Sequence, residues 1–180
     1  MIDNTVNRAL REKFHTCTNL NLENVQGVPI IEGNDLSSLF QDCTSLRGVS
    51  GIDRWNFLPN TTLFRMFYGN SVLNSPLIGQ MKMQNVSSIN AMLARATAFN
   101  QDISNWDVRN VTFATNFMQN KTSANYNASY LDAIYNKWSQ LPLQSGVTIG
   151  FGSIKYTSAG QAGRDILTTT YGWTITDGGI

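Results

Sequence analysis

The sequence predicts an α/β solenoid. About four stacked copies of a 25–27-residue unit would place a parallel sheet on one side and short helices on the other, with an α+β cap at the C-terminal end. Three observations predict this. Asn60, Asn85 and Asn110 lie 25 and 25 residues apart, and each is followed by a β-branched residue and then a hydroxyl: Thr61-Thr62, Val86-Ser87 and Val111-Thr112. A strand-like phrase with apolar residues at its first, fourth and sixth positions recurs as Val25-x-x-Val28-x-Ile30, Ile52-x-x-Trp55-x-Phe57, Ile78-x-x-Met81-x-Met83 and Ile103-x-x-Trp106-x-Val108. A helix-like phrase recurs between them as Phe14-x-x-Cys17-x-x-Leu20, Phe40-x-x-Cys43-x-x-Leu46 and Leu93-x-x-Ala96-x-x-Phe99. A unit of this size cannot bury its apolar side alone, so copies must cover one another.

Taken in order, Val6, Leu10 and Phe14 give a short first helix, and residues 1–24 form an incomplete first copy. Leu36, Leu39, Phe40 and Cys43 recur at helical spacing, as do Ile89, Met92, Leu93 and Ala96. Tyr68 to Asn74 is a polar, degenerate copy of the same phrase, and Met118 opens a decayed one. In each strand phrase the fourth and sixth positions share one face, because strand side chains alternate. Asn60, Asn85 and Asn110 then fall just before the helices. There Asn serves as an N-cap, or its amide bonds an adjacent copy. These triplets, with Asn120-Lys-Thr122 and Asn127-Ala-Ser129, also match the glycosylation sequon; their periodic placement is explained by backbone hydrogen bonding instead.

The period is lost after Asn120. Ala128 to Gln140 reads as a helix with Leu131, Ile134, Tyr135 and Trp138 on one face. Val147 to Phe151 reads as a strand, Ser158 to Thr169 as a helix, and Trp173 to Thr176 as a final strand. The repeat tract is therefore assigned to residues 1–125 and the capping region to 126–180.

Composition narrows the function. Only 14% of the 180 residues are charged, against about a quarter in ordinary domains, and the net charge is +1. No basic run offers an electrostatic footprint for nucleic acid. No apolar stretch is long enough to span a bilayer, and the polar start MIDNTVNRALREKF lacks the apolar core of a secretory leader. Cys17 and Cys43, 26 residues apart, occupy equivalent positions on adjacent copies and are expected to be buried thiols.

Catalytic constellations are missing from the sequence. His15 is the one histidine, and His15-x-Cys17 alone falls short of a zinc site. Gly146 to Gly152 is glycine-rich without the Gly-Lys-Ser/Thr of a phosphate loop. Asp102 and Asp107 flank a strand phrase and point to opposite faces, which makes them poor partners for paired-carboxylate chemistry. The expectation is a non-enzymatic chain with no cofactor and no metal ion.

Binding is easier to place. Between the inward apolar positions, Arg54 and Asn56, then Gln80, Lys82 and Gln84, then Asn105, Asp107 and Arg109 point out from the sheet. This mostly polar face of mixed charge is the candidate partner-binding surface. Trp55 and Trp106 take inward positions and belong to the core, while Trp138, Tyr171 and Trp173 belong to the cap.

The strand phrase resembles the leucine-rich-repeat consensus. The run Phe99-Asn100-Gln101-Asp102-Ile103-x-x-Trp106-Asp107-Val108-x-Asn110-Val111-Thr112 resembles the unit of BspA-type leucine-rich-repeat surface proteins. Cys17-Thr-Asn-Leu20, Cys43-Thr-Ser-Leu46 and the tail from Leu141 to Gly179 resemble the same family, and Leu73-Asn74-Ser75-Pro76-Leu77 departs from its Phe-Asn-Gln pattern. The resemblance implies a surface-displayed module that binds a partner. With no leader at its start, the chain is expected to be a bacteriophage virion protein made in the host cytoplasm, on the tail or a fibre. Capsid decoration is one alternative, and a bacterial cell-surface adhesin domain is the other. The partners so implied are other virion proteins, or a host-surface protein or glycan, with assembly into a homo-oligomer and no membrane insertion.

Overall fold

The structure is a computed structural model describing residues 10–23 and 32–180. The Val25–Ile30 strand phrase and Val6 lie outside the described residues. Strands β1 (Glu32–Asp35), β2 (Asn56–Thr62) and β3 (Val86–Ser88) form a parallel sheet in that order. Glu32 pairs with Asn56, Asp35 with Thr62, Thr61 with Val86 and Thr62 with Ser88; each pairing shifts register once. Parallel bridges Ser88–Phe113 and Ala114–Ile149 carry the stack onward to β4 (Thr148–Gly150) and β5 (Thr174–Thr176), which pair in parallel.

These strands fall only in part where the sequence places them: Asn56 and Phe57 open β2 and pair with β1. Ile52–Arg54 and Pro76–Gln80 are short 3-10 turns, and residues 103–108 contain no strand. The remaining pairing occurs a few residues later, on Thr61-Thr62 and Val86–Ser88, in the segments read above as helix starts. The inward and outward assignment survives. Ile52, Trp55 and Phe57 are buried, as are Ile78, Met81 and Met83, and Ile103, Trp106 and Val108. A 3-10 turn followed by extended chain satisfies the apolar pattern as well as a strand does.

The predicted helices of the repeat tract are also replaced. Residues 10–17, 36–43, 63–70, 89–96 and 114–121 each run as a chain of tight turns. Within a turn, Leu39 N–H donates to Leu36 O, Gln41 to Ser38 O and Cys43 to Phe40 O. The alternate amides donate to the next copy: Leu36 to Thr62 O, Ser38 to Phe64 O, Phe40 to Met66 O and Asp42 to Tyr68 O. Leu63, Arg65, Phe67 and Gly69 repeat this onto Ser88, Asn90, Met92 and Ala94, and Ile89, Ala91, Leu93 and Arg95 onto Phe113, Thr115, Phe117 and Gln119. Two residues per copy take positive φ, namely Glu12, Ser38, Arg65, Ala91 and Asn116 in one column and Thr16, Asp42, Gly69, Arg95 and Asn120 in the other. For a residue other than glycine this costs roughly 1–2 kcal/mol. The inter-copy bonds, each contributing about 1 kcal/mol, offset that cost.

The core follows from the stacking. Phe40 stacks between Phe14 and Phe67, with ring centroids 5.6 and 5.7 Å apart. Buried Trp106 donates from Nε1 to Ile78 O at 3.0 Å and so ties two copies together. Neither cysteine forms a disulfide; Cys43 is buried and Cys17 half-buried. The Cys43 thiol donates to Phe14 O, and burial pushes its pKa up to about 11.

From residue 126 the turns give way to helices. Helix α1 (Ala128–Trp138) starts at Asn127, whose side chain accepts from Ser129 N, and buries Leu131, Ile134, Tyr135 and Trp138 as the sequence predicts. Helix α2 (Gln161–Thr169) continues from a 3-10 turn at Ser158–Gly160. The two helices meet where Gly163 lies against the Tyr135 backbone, leaving no room for a Cβ.

Candidate binding face

In the copies from Ile52 and Ile78, burial alternates along the backbone. Trp55 and Phe57 point in while Arg54 and Asn56 point out; Met81 and Met83 point in while Gln80, Lys82 and Gln84 point out. The close 3-10 turns bring the copies together side by side. Asn56, Gln80, Lys82 and Gln84 are exposed, and their side chains make no hydrogen bond or ion pair among the described residues. Nothing in the fold requires these groups to be polar or charged.

The copy from Ile103 differs. Asn105 and Arg109 are exposed and Asp107 is half-buried. Arg109 Nε donates to Asp107 Oδ1 at 2.8 Å, which raises the guanidinium pKa. Lys137 of α1 reaches over to Asn105 Oδ1 at 2.8 Å, and Gln144 donates to Arg109 O at 3.1 Å. The eight sequence-predicted residues therefore divide into a free set on two copies and a set held by the C-terminal region. Lys137 and Gln144 border the face, and no periodicity points to them because they follow the repeats.

The Asn column lies along the neighbouring edge. Asn85 Nδ2 donates to Phe57 O at 2.8 Å and Asn110 Nδ2 to Gln84 O at 2.7 Å. The N-cap reading is thus replaced by the bond to an adjacent copy, since no helix follows. Asn60, Asn85, Ser87, Asn110 and Thr112 line a groove of about 300 Å³. Phe113, 65% exposed, is the most exposed of the large apolar side chains described.

A buried cation marks the last turn copy. Lys121, 1% exposed, occupies the position equivalent to Cys43, Asn70 and Ala96. Its Nζ donates to Ala96 O, Thr97 O, Phe99 O and Asn125 O at 2.6–3.2 Å. Burial lowers its pKa to about 8. The same column serves the preceding copy elsewhere, where Asn70 Oδ1 accepts from Cys43 N at 2.9 Å.

Other chemistry-bearing groups serve the fold. Tyr135 Oη and Arg164 Nε both donate to Asp177 Oδ2 at 2.7 Å, and burial raises the Tyr135 pKa. Asp132 accepts from the Thr157 amide and hydroxyl. Asp102 Oδ1 accepts from Ser104 N, and His15 Nε2 lies 3.9 Å from Asp42 Oδ2. Among the described residues no three side chains gather as metal ligands, and no helix is long and apolar enough to cross a membrane.

Residues 8–133, well over half of the chain, match the family described as "Mycoplasma protein of unknown function, DUF285", and the chain belongs to that family. The family is related to BspA-like repeat proteins, in line with the unit at Phe99–Thr112. Comparison with curated proteins and with solved structures returned no match.

Proposed function

We propose that the chain is a non-enzymatic, surface-displayed binding module that recognises a protein or glycan through the outward residues of its stacked copies. The observation that carries this reading is the set Arg54, Asn56, Gln80, Lys82 and Gln84. They are exposed, polar and of mixed character, and except for the Arg54 side chain's proximity to Gly51 their side chains are unengaged among the described residues. An extended outward surface of this kind is what stacked-repeat proteins use for recognition. The parallel stack and the family relation support a short leucine-rich-repeat-like solenoid in which turns stand in place of the helices.

The setting of the display is the finer part of the proposal. One setting, implied by the resemblance of the Phe99–Thr112 unit, is a bacterial cell-surface adhesin. The sequence-based reading is a bacteriophage virion protein on the tail or a fibre, or a capsid decoration. Neighbouring capsid and tail genes would support the virion setting, and a parent gene encoding an export leader would support the cell surface. The binding claim itself is tested by fluorescently labelled chain added to intact bacterial and animal cells. Saturable binding competed by unlabelled chain is expected. Absence of saturable binding to every cell type, or turnover of a cell-surface glycan abolished by a point mutation, would overturn it.

A further inference from the structure

The turn side carries a gap of its own, away from the outward face. In the second column of positive-φ residues, Thr16, Asp42, Arg95 and Asn120 all carry side chains and Gly69 carries none. The other members adopt this conformation without being glycine, so backbone geometry alone does not call for Gly69. Its missing Cβ does something else: a Cβ there would collide with Asp42 Oδ1. The Asp42 carboxylate thus lies over Gly69, in the space a side chain there would take, with Arg95 one copy further along the column.

Arg95 is held in place. Its guanidinium lies 5.7 Å from the Tyr68 ring centroid and donates from Nη1 to Tyr68 Oη at 3.1 Å. Arg65 lies over the same ring at 5.3 Å. Asp42 and Arg95 do not pair with each other, and Arg95 has no carboxylate partner among the described residues. Together with Thr44, Ser71, Thr97 and Asn120 they line an open groove of about 380 Å³.

We propose that this groove is a carbohydrate subsite that takes one uncharged pyranose ring of a glycan. Its hydroxyls donate to Asp42 and accept from Arg95 and the Asn120 amide. A carboxylate at one end and a guanidinium at the other are matched together by adjacent hydroxyls, each being donor and acceptor, whereas a bare ion is complementary to one end alone. Two inter-copy steps set the Asp42 and Arg95 backbones roughly 9.5 Å apart. A ring hydrogen-bonded at both edges bridges that span and an ion does not. The planar guanidinium, fixed on Tyr68, suits two-point bonding to neighbouring oxygens. The site lies on the turn tract, so it stands or falls separately from the outward face.

The test is a titration of the isotope-labelled full chain, followed by amide chemical shifts. The probes are neutral hexose and N-acetylhexosamine oligosaccharides, with inorganic phosphate and glycine as controls. The expected result is saturable shifts at residues 42–44, 69–71 and 95–97 with a neutral sugar. Half-buried Asp42→Asn and exposed Arg95→Gln, near-isosteric or surface changes checked by an unchanged melting curve, should each weaken binding about tenfold, and Lys82→Ala should not. Gly69→Ala, which displaces the Asp42 carboxylate, should abolish the shifts, and the Asp42 and Arg95 variants decide the matter if it fails to fold. The proposal is overturned if no neutral sugar shifts these amides. It is also overturned if phosphate or glycine binds there in preference, or if Asp42→Asn and Arg95→Gln bind sugar as well as the native chain.

Discussion

Among the described residues up to Thr122 the apolar segments between strands run as tight turns, and from Tyr126 onward as helices. Both regions present parallel backbone to the next segment, through β1–β2–β3 in the first and β4–β5 in the second. The difference lies in where the amides go. Alternate amides of a turn copy leave it for the following copy, as Ser38 does for Phe64 O. The amides of α1 stay within the helix. A turn copy thus leaves amides to be satisfied by a successor, and a helix does not. Lys121 stands at the handover, supplying one buried ammonium to four carbonyl oxygens of the last turns.

This contrast can be broken or sharpened by substitution. The largest effect is expected from Trp106→Ala, which removes a buried indole and its bond to Ile78 O; urea unfolding should show a loss of about 3–5 kcal/mol. A near-neutral result would show that the copies do not depend on one another through this residue. Lys121→Met should follow, at about 3 kcal/mol, because it strands buried carbonyl oxygens. Lys121 also predicts a pH dependence. Its folded pKa of about 8 lies below the 10.5 of the free side chain, so from pH 8 to 10.5 the unfolded chain binds more protons. Stability contributed by this group therefore rises with pH across that window, by up to about 3 kcal/mol. The rise should be missing from Lys121→Met when the two proteins are compared pH by pH.

On the helical side, Gly163→Ala should destabilise by about 1–3 kcal/mol, since the new methyl meets the Tyr135 backbone. A thermal melt reads it, and an unchanged melting temperature would mean that α1 and α2 separate freely. Smaller still are Asn85→Ala and Asn110→Ala. Each removes one side-chain bond to the preceding copy and should cost about 1 kcal/mol in chemical denaturation.

The sequence made some of this plain and hid the rest for physical reasons. Which side chains face inward was readable, because any stacked unit must bury the same apolar positions; Ile78, Met81 and Met83 are buried as the spacing requires. The helices α1 and α2 were readable too, since both carry amphipathic faces of their own and α1 is capped by Asn127. The turn tract was not. Ile89-Asn-Ala-Met-Leu-Ala-Arg-Ala96 has good helix formers at helical spacing, yet Ala91 and Arg95 take φ of 52° and 60°. Consecutive tight turns repeat the i, i+3, i+4 pattern of a helix, and bonding to neighbouring copies overrides intrinsic propensity. The candidate face was half readable. Arg54, Asn56, Gln80, Lys82 and Gln84 follow from alternation alone, whereas the engagement of Asn105 and Arg109 depends on Lys137 and Gln144, which are remote in sequence.

The outward face is tested most directly by replacing Arg54, Lys82 and Arg109 together with serine and measuring saturable binding of the labelled chain to cells alongside urea unfolding. These groups lie outside the core, so stability should stay within about 0.5 kcal/mol of the native chain while binding falls at least tenfold. Binding that persists unchanged in a fully folded triple variant would contradict the account and move recognition to another surface.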